Sequence, residues 1–274
     1  MGFAVEGSTK MRLISTLKSE LNKLFVFELK DGNRVEAVFY RGDTLCVSTQ
    51  VGCAVKCPFC LSGKEGLVRN LTSEEIYVQY DLLKDRVPVK RIAVAGIGEP
   101  LMNYSHVVAS FWKFKKEGLK VSFYTTGFPH RYLKELIRLP HNGLTVSIHS
   151  TRKDKRKLLV PHGSPLDALI KTLREEIASL SKTKKKKISL AYLLIKGIND
   201  SYEDLDDFAK LVSELGVGAT LLYYNATGSF EPLSKKEYEE KFLFLRRYGI
   251  RVTLSTRFRR DPLGGCGTLI TNRN

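Results

Sequence analysis

Between residues 44 and 255 the sequence alternates between short apolar segments of β type and longer amphipathic segments with helical periodicity. Short apolar runs rich in Val, Ile and Phe are typical of buried strands. Strands that are separated by helices form parallel βαβ units with right-handed crossovers. The alternation therefore predicts an α/β chain of six such units, arranged as a partial or complete barrel or as an open doubly wound sheet. In each arrangement, functional residues gather at the carboxyl ends of the strands.

The predicted elements follow this pattern. Strands are expected at 44–50, 90–97, 120–125, 143–149, 187–195, 218–225 and 250–255. Helices are expected at 72–85, 104–117, 130–139, 164–181, 201–215 and 234–248. Two of these helices begin with a capping box, formed by Thr72 with Glu75 and by Ser234 with Glu237. Before the alternation, the sequence predicts a helix over about 10–23 and a β-hairpin that turns at Asp31 and Gly32.

The composition restricts the class of protein. A chain of 274 residues with 43% hydrophobic residues is long enough for one α/β domain with a small appendage. No apolar run reaches membrane length and the amino-terminal sequence lacks the build of a signal peptide, so we expect a cytoplasmic protein without a membrane partner. The formal charge of +16 favours a polyanionic partner, most simply RNA or DNA. A lysine-rich surface adapted to high temperature is the alternative explanation.

Three of the five cysteines lie in one loop after the first predicted parallel strand. In the stretch CAVKCPFC, Cys53, Cys57 and Cys60 are separated by four and then three positions. In a reducing compartment such cysteines indicate a chemical site more often than disulfides. A cuboidal iron–sulfur cluster held by three thiolates keeps one iron free of the protein, and an open iron can bind the amino and carboxylate groups of S-adenosylmethionine. The alternative is a zinc knuckle completed by Cys46, Cys266 or a histidine.

The stretch TLCVSTQVGCAVKCPFCLSGKEGLVRNLTSEEI resembles the RlmN/Cfr family of radical S-adenosylmethionine (radical SAM) enzymes, which methylate an aromatic carbon of adenosine in RNA. Further similar stretches are GIGEPLMN, VSIHS, LVP, LIKGINDS, YYNATG and the terminal CGTL. The resemblance implies a radical-SAM (βα)6-type partial barrel. It also implies a [4Fe–4S] cluster on the three cysteines, S-adenosylmethionine, an RNA substrate, and an external one-electron reductant such as flavodoxin or ferredoxin. We accordingly expect a short amino-terminal extension over 1–40 and a radical-SAM core with a catalytic tail over 41–274.

The resemblance gives roles to the remaining two cysteines. It implies that Cys266 accepts a methyl group from one S-adenosylmethionine, and that a radical from a second molecule removes hydrogen from this S-methyl group. The resulting carbon radical then adds to carbon 2 or carbon 8 of adenine. Cys46 attacks the Cys266 sulfur, which releases the methylated RNA and leaves a disulfide. Glu36 aligns with the family's acceptor for the ring proton, although its pattern alone is that of a solvated carboxylate on a hairpin strand.

Seven further positions match the family's contacts to S-adenosylmethionine: Gly98, Glu99, Tyr124, Ser147, Ile148, His149 and Asn225. In this resemblance the Glu99 carboxylate receives the ammonium group of the cofactor, and Gly98 lets the backbone approach it. Tyr124 is a departure, because the family has a serine there. Without the family, His149 would be interpreted as a structural histidine at the end of a buried strand.

Other departures concern the substrate. Bacterial members of the family carry a larger amino-terminal RNA-binding domain, whereas a short segment precedes the hairpin here, and the tail has threonine where the family has glutamine. The choice between rRNA and tRNA therefore stays open. The arginines Arg257, Arg259 and Arg260, just before Cys266, are expected to contact phosphates. Two other classes also stay open: a radical SAM enzyme with a different substrate, such as a glycyl-radical activase, and a zinc-stabilised RNA-binding protein without catalytic activity.

Overall fold

The structure is a computed structural model and describes residues 11–273. Its strands are β1 (Arg12–Lys18), β2 (Lys23–Glu28), β3 (Arg34–Tyr40), β4 (Thr44–Val47), β5 (Gln50–Gly52), β6 (Leu67–Asn70), β7 (Arg91–Val94), β8 (Lys120–Thr125), β9 (Gly143–Ser147), β10 (Ile188–Leu194), β11 (Gly218–Tyr223) and β12 (Val252–Leu254). Its α-helices are α1 (Ser73–Asp81), α2 (Tyr104–Lys116), α3 (Leu133–Arg138), α4 (Lys153–Leu159), α5 (Leu166–Ala178), α6 (Lys182–Lys185), α7 (Tyr202–Leu215) and α8 (Lys235–Arg246). The predicted alternation of strands and helices is confirmed.

The parallel strands follow one another through the sheet in chain order. Ten strands form one sheet in the order β1-β2-β3-β4-β7-β8-β9-β10-β11-β12, and β4 and β7–β12 run parallel. A doubly wound sheet reverses its strand order at a switch point. The order of the described sheet has no reversal, so the doubly wound alternative is wrong. Six βα units and a final strand therefore wind in one direction, as in a barrel, while β1 and β12 remain open edges.

The helix predicted over about 10–23 is wrong, because β1 occupies this segment and pairs antiparallel with β2. Leu13 and Leu17 have the spacing of one face of a helix, a local pattern compatible with the predicted element. The backbone of β1 instead finds its partners across the hairpin. The chain turns at Ser19, whose hydroxyl accepts a hydrogen bond from the backbone N–H of Asn22 at 2.9 Å. Tertiary strand pairing thus overrides a local helical pattern.

Local signals elsewhere are confirmed. The β2–β3 hairpin turns where predicted, with Gly32 at φ = 81° and the Asn33 N–H bonded to the Asp31 carboxylate at 3.1 Å. Both predicted capping boxes are present, at the starts of α1 and α8. The short helix α4 is an element that the sequence pattern missed.

The antiparallel strands β1–β3 extend the sheet beyond β4. The predicted domain division falls between β3, which ends at Tyr40, and β4. These two strands are hydrogen-bonded neighbours, so one sheet runs across the division, which stays a prediction. Between residues 11 and 273, no helix is both long and apolar enough to cross a membrane.

A small apolar cluster beside the main core supports the cysteine loop. It consists of Val55, Leu159, Val160, Leu193, Ile195 and Tyr224. Cys53, Cys57 and Phe59 pack against this cluster from the loop. The loop is therefore held against the ends of β10 and β11, at the edge of the sheet where the parallel strands end.

Candidate active site

A cavity of about 220 Å³ lies at the carboxyl ends of the parallel strands. Seven of the predicted site residues line it: Cys46, Cys60, Tyr124, Ser147, His149, Asn225 and Cys266. Their positions follow from the topology, since Cys46 is on β4, Ser147 ends β9 and Asn225 follows β11. Tyr40 and Phe59 also line the cavity and were missed by sequence reasoning. The cavity thus joins one end of the cysteine loop to both outlying cysteines.

The loop thiols lie in surroundings that disfavour a free thiolate. Burial raises the pKa of Cys53 to about 12 and also raises the pKa values of Cys57 and Cys60. The loop is nonetheless ordered by its own backbone, with the Cys53 N–H bonded to the carbonyl of Gly66 at 2.9 Å and the Cys60 N–H bonded to that of Cys57 at 3.0 Å. Buried thiols of this kind ionise when a metal centre supplies the positive charge.

The arrangement fits a cluster better than a single metal ion. Among the described residues, no group of three or more His, Cys, Asp or Glu side chains is placed to hold one metal ion. A zinc site needs four donors around one ion, whereas each iron of a cuboidal cluster takes one thiolate. Cys53 and Cys60 lie near enough to Cys57 for their charges to raise its pKa further, and Cys60 is open to the cavity, so the three thiolates of this loop can each take one iron.

Cys46 and Cys266 reach the cavity from opposite ends of the chain. Cys46 is buried on β4, and burial raises the pKa of its thiol to about 12. Cys266 is exposed and lies in an irregular tail. The tail is fixed on both sides of this thiol: the Cys266 N–H bonds to the carbonyl of Arg259 at 3.0 Å, and the Asn225 amide donates to the carbonyls of Arg259 at 2.8 Å and Cys266 at 2.9 Å. One cysteine is thus placed by the sheet and the other by a tethered tail.

The β1–β2 turn clamps the same tail. The buried Asn22 donates from Nδ2 to the carbonyls of Phe258 and Leu263, both at 2.9 Å. The Ser19 hydroxyl donates to the Asp261 carboxylate at 2.9 Å. Sequence reasoning missed this clamp, because the segment was interpreted as a helix and its partners lie more than 230 positions away along the chain.

Glu99 is buried next to the cavity rather than on its wall. Its carboxylate accepts hydrogen bonds from the backbone N–H groups of Leu101 at 3.1 Å and Thr126 at 2.7 Å, and from the hydroxyls of Thr125 and Thr126. Burial raises its pKa. Gly98 has φ = 110°, and a Cβ atom there would lie 2.7 Å from Cβ of Gln50, so this position requires glycine.

A buried arginine that the sequence did not single out organises the ends of β8 and β9. Arg156 on α4 is 2% exposed, and its Nη1 donates to the carbonyls of Ser147 and Ile148, both at 2.6 Å. Its Nη2 donates to the carbonyl of Thr126 at 2.9 Å. Burial lowers its pKa to about 10. Ile148 itself is buried and contributes its carbonyl to this network rather than a side chain to the cavity wall.

His149 is held as a neutral ring. Its Nδ1 accepts the N–H of Leu193 at 3.0 Å, and the ring meets that of Phe59 edge-on at 5.2 Å. Burial, followed by the positive charge of Arg156, lowers the pKa of His149 to about 3. The remaining ring nitrogen therefore carries a proton and can donate a hydrogen bond beside the cavity.

The structure places Glu36 apart from the cavity. This carboxylate is fully buried on β3, forms an ion pair with Arg273 and accepts the N–H of Ile270 at 2.8 Å. The solvated carboxylate suggested by its pattern is therefore wrong, because the carboxyl-terminal tail covers this face of the strand. Its assignment as the proton acceptor stays a prediction.

The three arginines before Cys266 differ in their exposure and in their contact with the cavity. Arg259 lines the cavity, stacks over the Tyr124 ring with its guanidinium carbon 4.7 Å from the centroid, and donates to the Tyr124 hydroxyl at 2.5 Å. Arg257 and Arg260 are exposed. Only these last two lie where an external phosphate can reach them without entering the cavity.

Comparisons with known proteins bear on this geometry. The sequence model described as "Radical SAM superfamily" matches residues 47–212. A curated protein of Petrotoga mobilis named "Probable dual-specificity RNA methyltransferase RlmN" is 34% identical over 282 residues, covering 96% of this chain and 80% of that protein. A protein of the same name from Thermotoga petrophila is 34% identical and covers 91% and 76% respectively. The crystal structure of a radical SAM methyltransferase from Sphaerobacter thermophilus superposes with a TM-score of 0.84 at 28% identity, covering 95% of this chain and 81% of that one.

Proposed function

We propose that this chain, which belongs to the RlmN family of radical SAM enzymes, transfers a methyl group to an aromatic ring carbon of adenosine in rRNA or tRNA. The observation that carries the proposal is the single cavity shared by Cys60 of the cysteine loop, Cys46 and Cys266. A glycyl-radical activase would need the loop but neither of the two outlying cysteines. Family membership likewise makes the chain an enzyme rather than a zinc-stabilised binding protein, and its fold is the predicted radical-SAM partial barrel.

Enzymes of this superfamily use a [4Fe–4S] cluster and S-adenosylmethionine. Cys53, Cys57 and Cys60 would hold the cluster. When bound, the two groups supply a one-electron cleavage of the sulfonium and a carbon radical that abstracts hydrogen. Glu99 would receive the cofactor's ammonium group in place of one of its threonine hydroxyl donors, and His149 would donate a hydrogen bond from its protonated ring nitrogen. Ser147, Ile148 and Asn225 would contact the cofactor or fix the backbone around it.

The two outlying cysteines divide the transfer between them. Cys266 would lose its thiol proton and accept a methyl group on its sulfur, and the tail would then present this carbon to the adenine ring. Addition of the carbon radical to the ring joins protein and RNA through sulfur. The ring would then give up the one electron that the reductive cleavage used, together with its ring proton, which leaves a closed-shell thioether between Cys266 and the base. The Cys46 thiolate would attack the Cys266 sulfur, so that an S–S bond forms and the S–C bond breaks with its electron pair on carbon. That carbon takes up a proton and becomes the methyl group of the product.

Removal of the ring proton needs a base, and Glu36 is the residue that the family assigns. Its carboxylate is bound by Ile270 and Arg273 of the tail that also carries Cys266. A movement of the tail would therefore free Glu36 and shift Cys266 in the same step. Under this proposal Glu36 acts after such a movement.

The net charge of +16 supports an RNA substrate, because phosphate contacts dominate the affinity of basic proteins for nucleic acids. The test is anaerobic incubation of the reconstituted enzyme with S-adenosylmethionine labelled in its methyl group and with total RNA, followed by mass mapping of adenosines. Label on carbon 2 or carbon 8 of adenosine is expected with the wild type and absent with Cys266→Ala. Label on a nitrogen or a ribose oxygen, or label that persists in Cys266→Ala, would refute the proposal.

A further inference from the structure

The cysteine loop borders a second space besides the cavity of about 220 Å³ described above, which is called the reaction cavity below. A groove there, called the basic groove below, runs between the loop and the segment after β11; Lys56, Lys64, Cys57, Cys60 and Thr227 are among its lining residues. Cys60 lines both the basic groove and the reaction cavity. A cluster on the three cysteines would therefore lie between the two spaces.

Lys56, which lines the basic groove, has an unusual backbone conformation. Its φ is 53°, in the left-handed region, which is strained for a residue with a side chain. Gly63 packs so closely that a Cβ atom there would lie 2.9 Å from Cα of Lys56. Glycine at position 56 would avoid the strain, yet the chain places an exposed lysine there, between two cluster cysteines. Strain retained at a position of this kind points to a role for the side chain.

The charge of the groove is uncompensated by ion pairs. Lys56 and Lys64 are both exposed, and neither forms an ion pair with any carboxylate of residues 11–273. Glu65, also exposed, is the acidic neighbour in the loop sequence and does not line the groove. The groove therefore presents two free ammonium groups beside two of the three cluster cysteines.

We propose that the basic groove is the docking site of an acidic one-electron carrier protein. The inference rests on the proposed function, in which each cleavage of S-adenosylmethionine consumes one electron. The carrier is oxidised by one electron, and this electron finally breaks one carbon–sulfur bond of the sulfonium; no proton is exchanged with the carrier. Elsewhere the tail after Cys266 covers the loop, with the Leu61 N–H bonded to the carbonyl of Gly267 at 2.8 Å and the Ser62 hydroxyl bonded to that of Leu269 at 2.9 Å. The groove is a part of the loop that stays open to a protein partner. Charge complementarity of this kind raises association rates between tenfold and a thousandfold and weakens as salt rises.

The test compares two reductants on one enzyme. Lys56→Glu/Lys64→Glu reverses the charge of the groove, while Lys182→Glu/Lys184→Glu makes the same change on α6, before the amino end of β10. Reductive cleavage of S-adenosylmethionine is measured with reduced flavodoxin and, separately, with dithionite, a small reductant that needs no docking site. Iron content checks that the cluster is intact. The affinity of flavodoxin for the cluster-free enzyme, which the groove variant should weaken and the α6 variant should leave unchanged, gives a readout that does not depend on turnover.

We expect the groove variant to lose at least about tenfold in kcat/KM for flavodoxin at low salt, to lose most of the salt dependence, and to keep the wild-type rate with dithionite. The α6 variant should match the wild type with both reductants. Lys56→Gly, which removes the charge and suits the left-handed backbone, should show a smaller loss with flavodoxin alone.

Three results would overturn the proposal. These are an unchanged flavodoxin rate in the groove variant, an equal loss with dithionite, or a loss of RNA affinity with the flavodoxin rate intact, which would make the groove an RNA surface. Failure of the proposed function would look different, since the wild type would then cleave S-adenosylmethionine with dithionite and transfer no methyl group to RNA.

Discussion

His149 allows the interior of the site to be tested through stability alone. Its ring is buried, it accepts the N–H of Leu193 through Nδ1, and its pKa is lowered by burial from 6.5 to about 3. In the unfolded chain the histidine regains its ordinary pKa. Between pH 6.5 and 3 the unfolded state therefore binds a proton that the folded state does not. The stability that depends on the neutral ring is complete above pH 6.5 and is lost as the pH falls.

The magnitude follows from the distance in pH. At pH 5 the solution is 1.5 pH units below the unfolded pKa of 6.5 and still above the folded pKa of about 3. Each of these pH units lowers the free energy of unfolding by about 1.4 kcal/mol, so the total loss at pH 5 is about 2 kcal/mol. The variant His149→Asn isolates this effect. Asparagine places an oxygen near the position of Nδ1 and tolerates the left-handed backbone of residue 149, where φ is 61°.

Urea unfolding of the cluster-free proteins, measured from pH 7.5 to pH 5 under reducing conditions, gives the comparison. The free energy of unfolding of the wild type should fall by about 2 kcal/mol more than that of His149→Asn. His106→Asn, which changes an exposed histidine on α2, should follow the wild type. A difference between wild type and His149→Asn that stays constant with pH would refute the account of a buried neutral ring.

Three further predictions address the clamp, the loop and the surface. Asn22→Ala should lower the free energy of unfolding in urea by about 1–3 kcal/mol, because two partly buried carbonyls of the tail lose the donor that the buried Asn22 supplies. Glu20→Ala, exposed in the same turn, should stay within about 0.5 kcal/mol of wild type. Reconstituted wild type should contain about four irons per chain and Cys53→Ala should lose the cluster, whereas stoichiometric zinc in the wild type would contradict this. Neutralising Arg257 and Arg260 together should reduce the slope of log affinity for RNA against log salt by about one unit for each phosphate that the variant no longer binds, and an unchanged slope would place the phosphates elsewhere.

The features that the sequence predicted are those that depend on local order. The periodicities of strands and helices, and the residues of a capping box, lie close together in the sequence and do not depend on how the elements pack. The βα units and both capping boxes were therefore predictable. The spacing of Cys53, Cys57 and Cys60 is equally local. The family resemblance singled out Ser147 and Asn225, and their positions at or after strand ends agree with this edge of the sheet, where the carboxyl ends of parallel strands meet.

The features that failed depend on contacts distant in sequence. β1 carries a helical spacing of leucines, yet its pairing with β2 determines its conformation. Glu36 alternates like a solvated residue, but Ile270 and Arg273 cover it from the far end of the chain. Arg156 is one of several cations in its stretch of sequence, and only its burial against three carbonyls distinguishes it. No local pattern encodes these partners.

The relay of two cysteines is the central claim, and the two alanine variants test it most directly because the claim gives them opposite phenotypes. Each is incubated anaerobically with S-adenosylmethionine, reductant and RNA, then denatured and examined for protein–RNA complexes with and without nuclease. Cys46→Ala should methylate Cys266 and stall as a covalent complex that survives denaturation and disappears on nuclease digestion. Cys266→Ala, and the double variant, should form no complex. Full turnover by Cys46→Ala, or a covalent complex formed by Cys266→Ala, would contradict the mechanism.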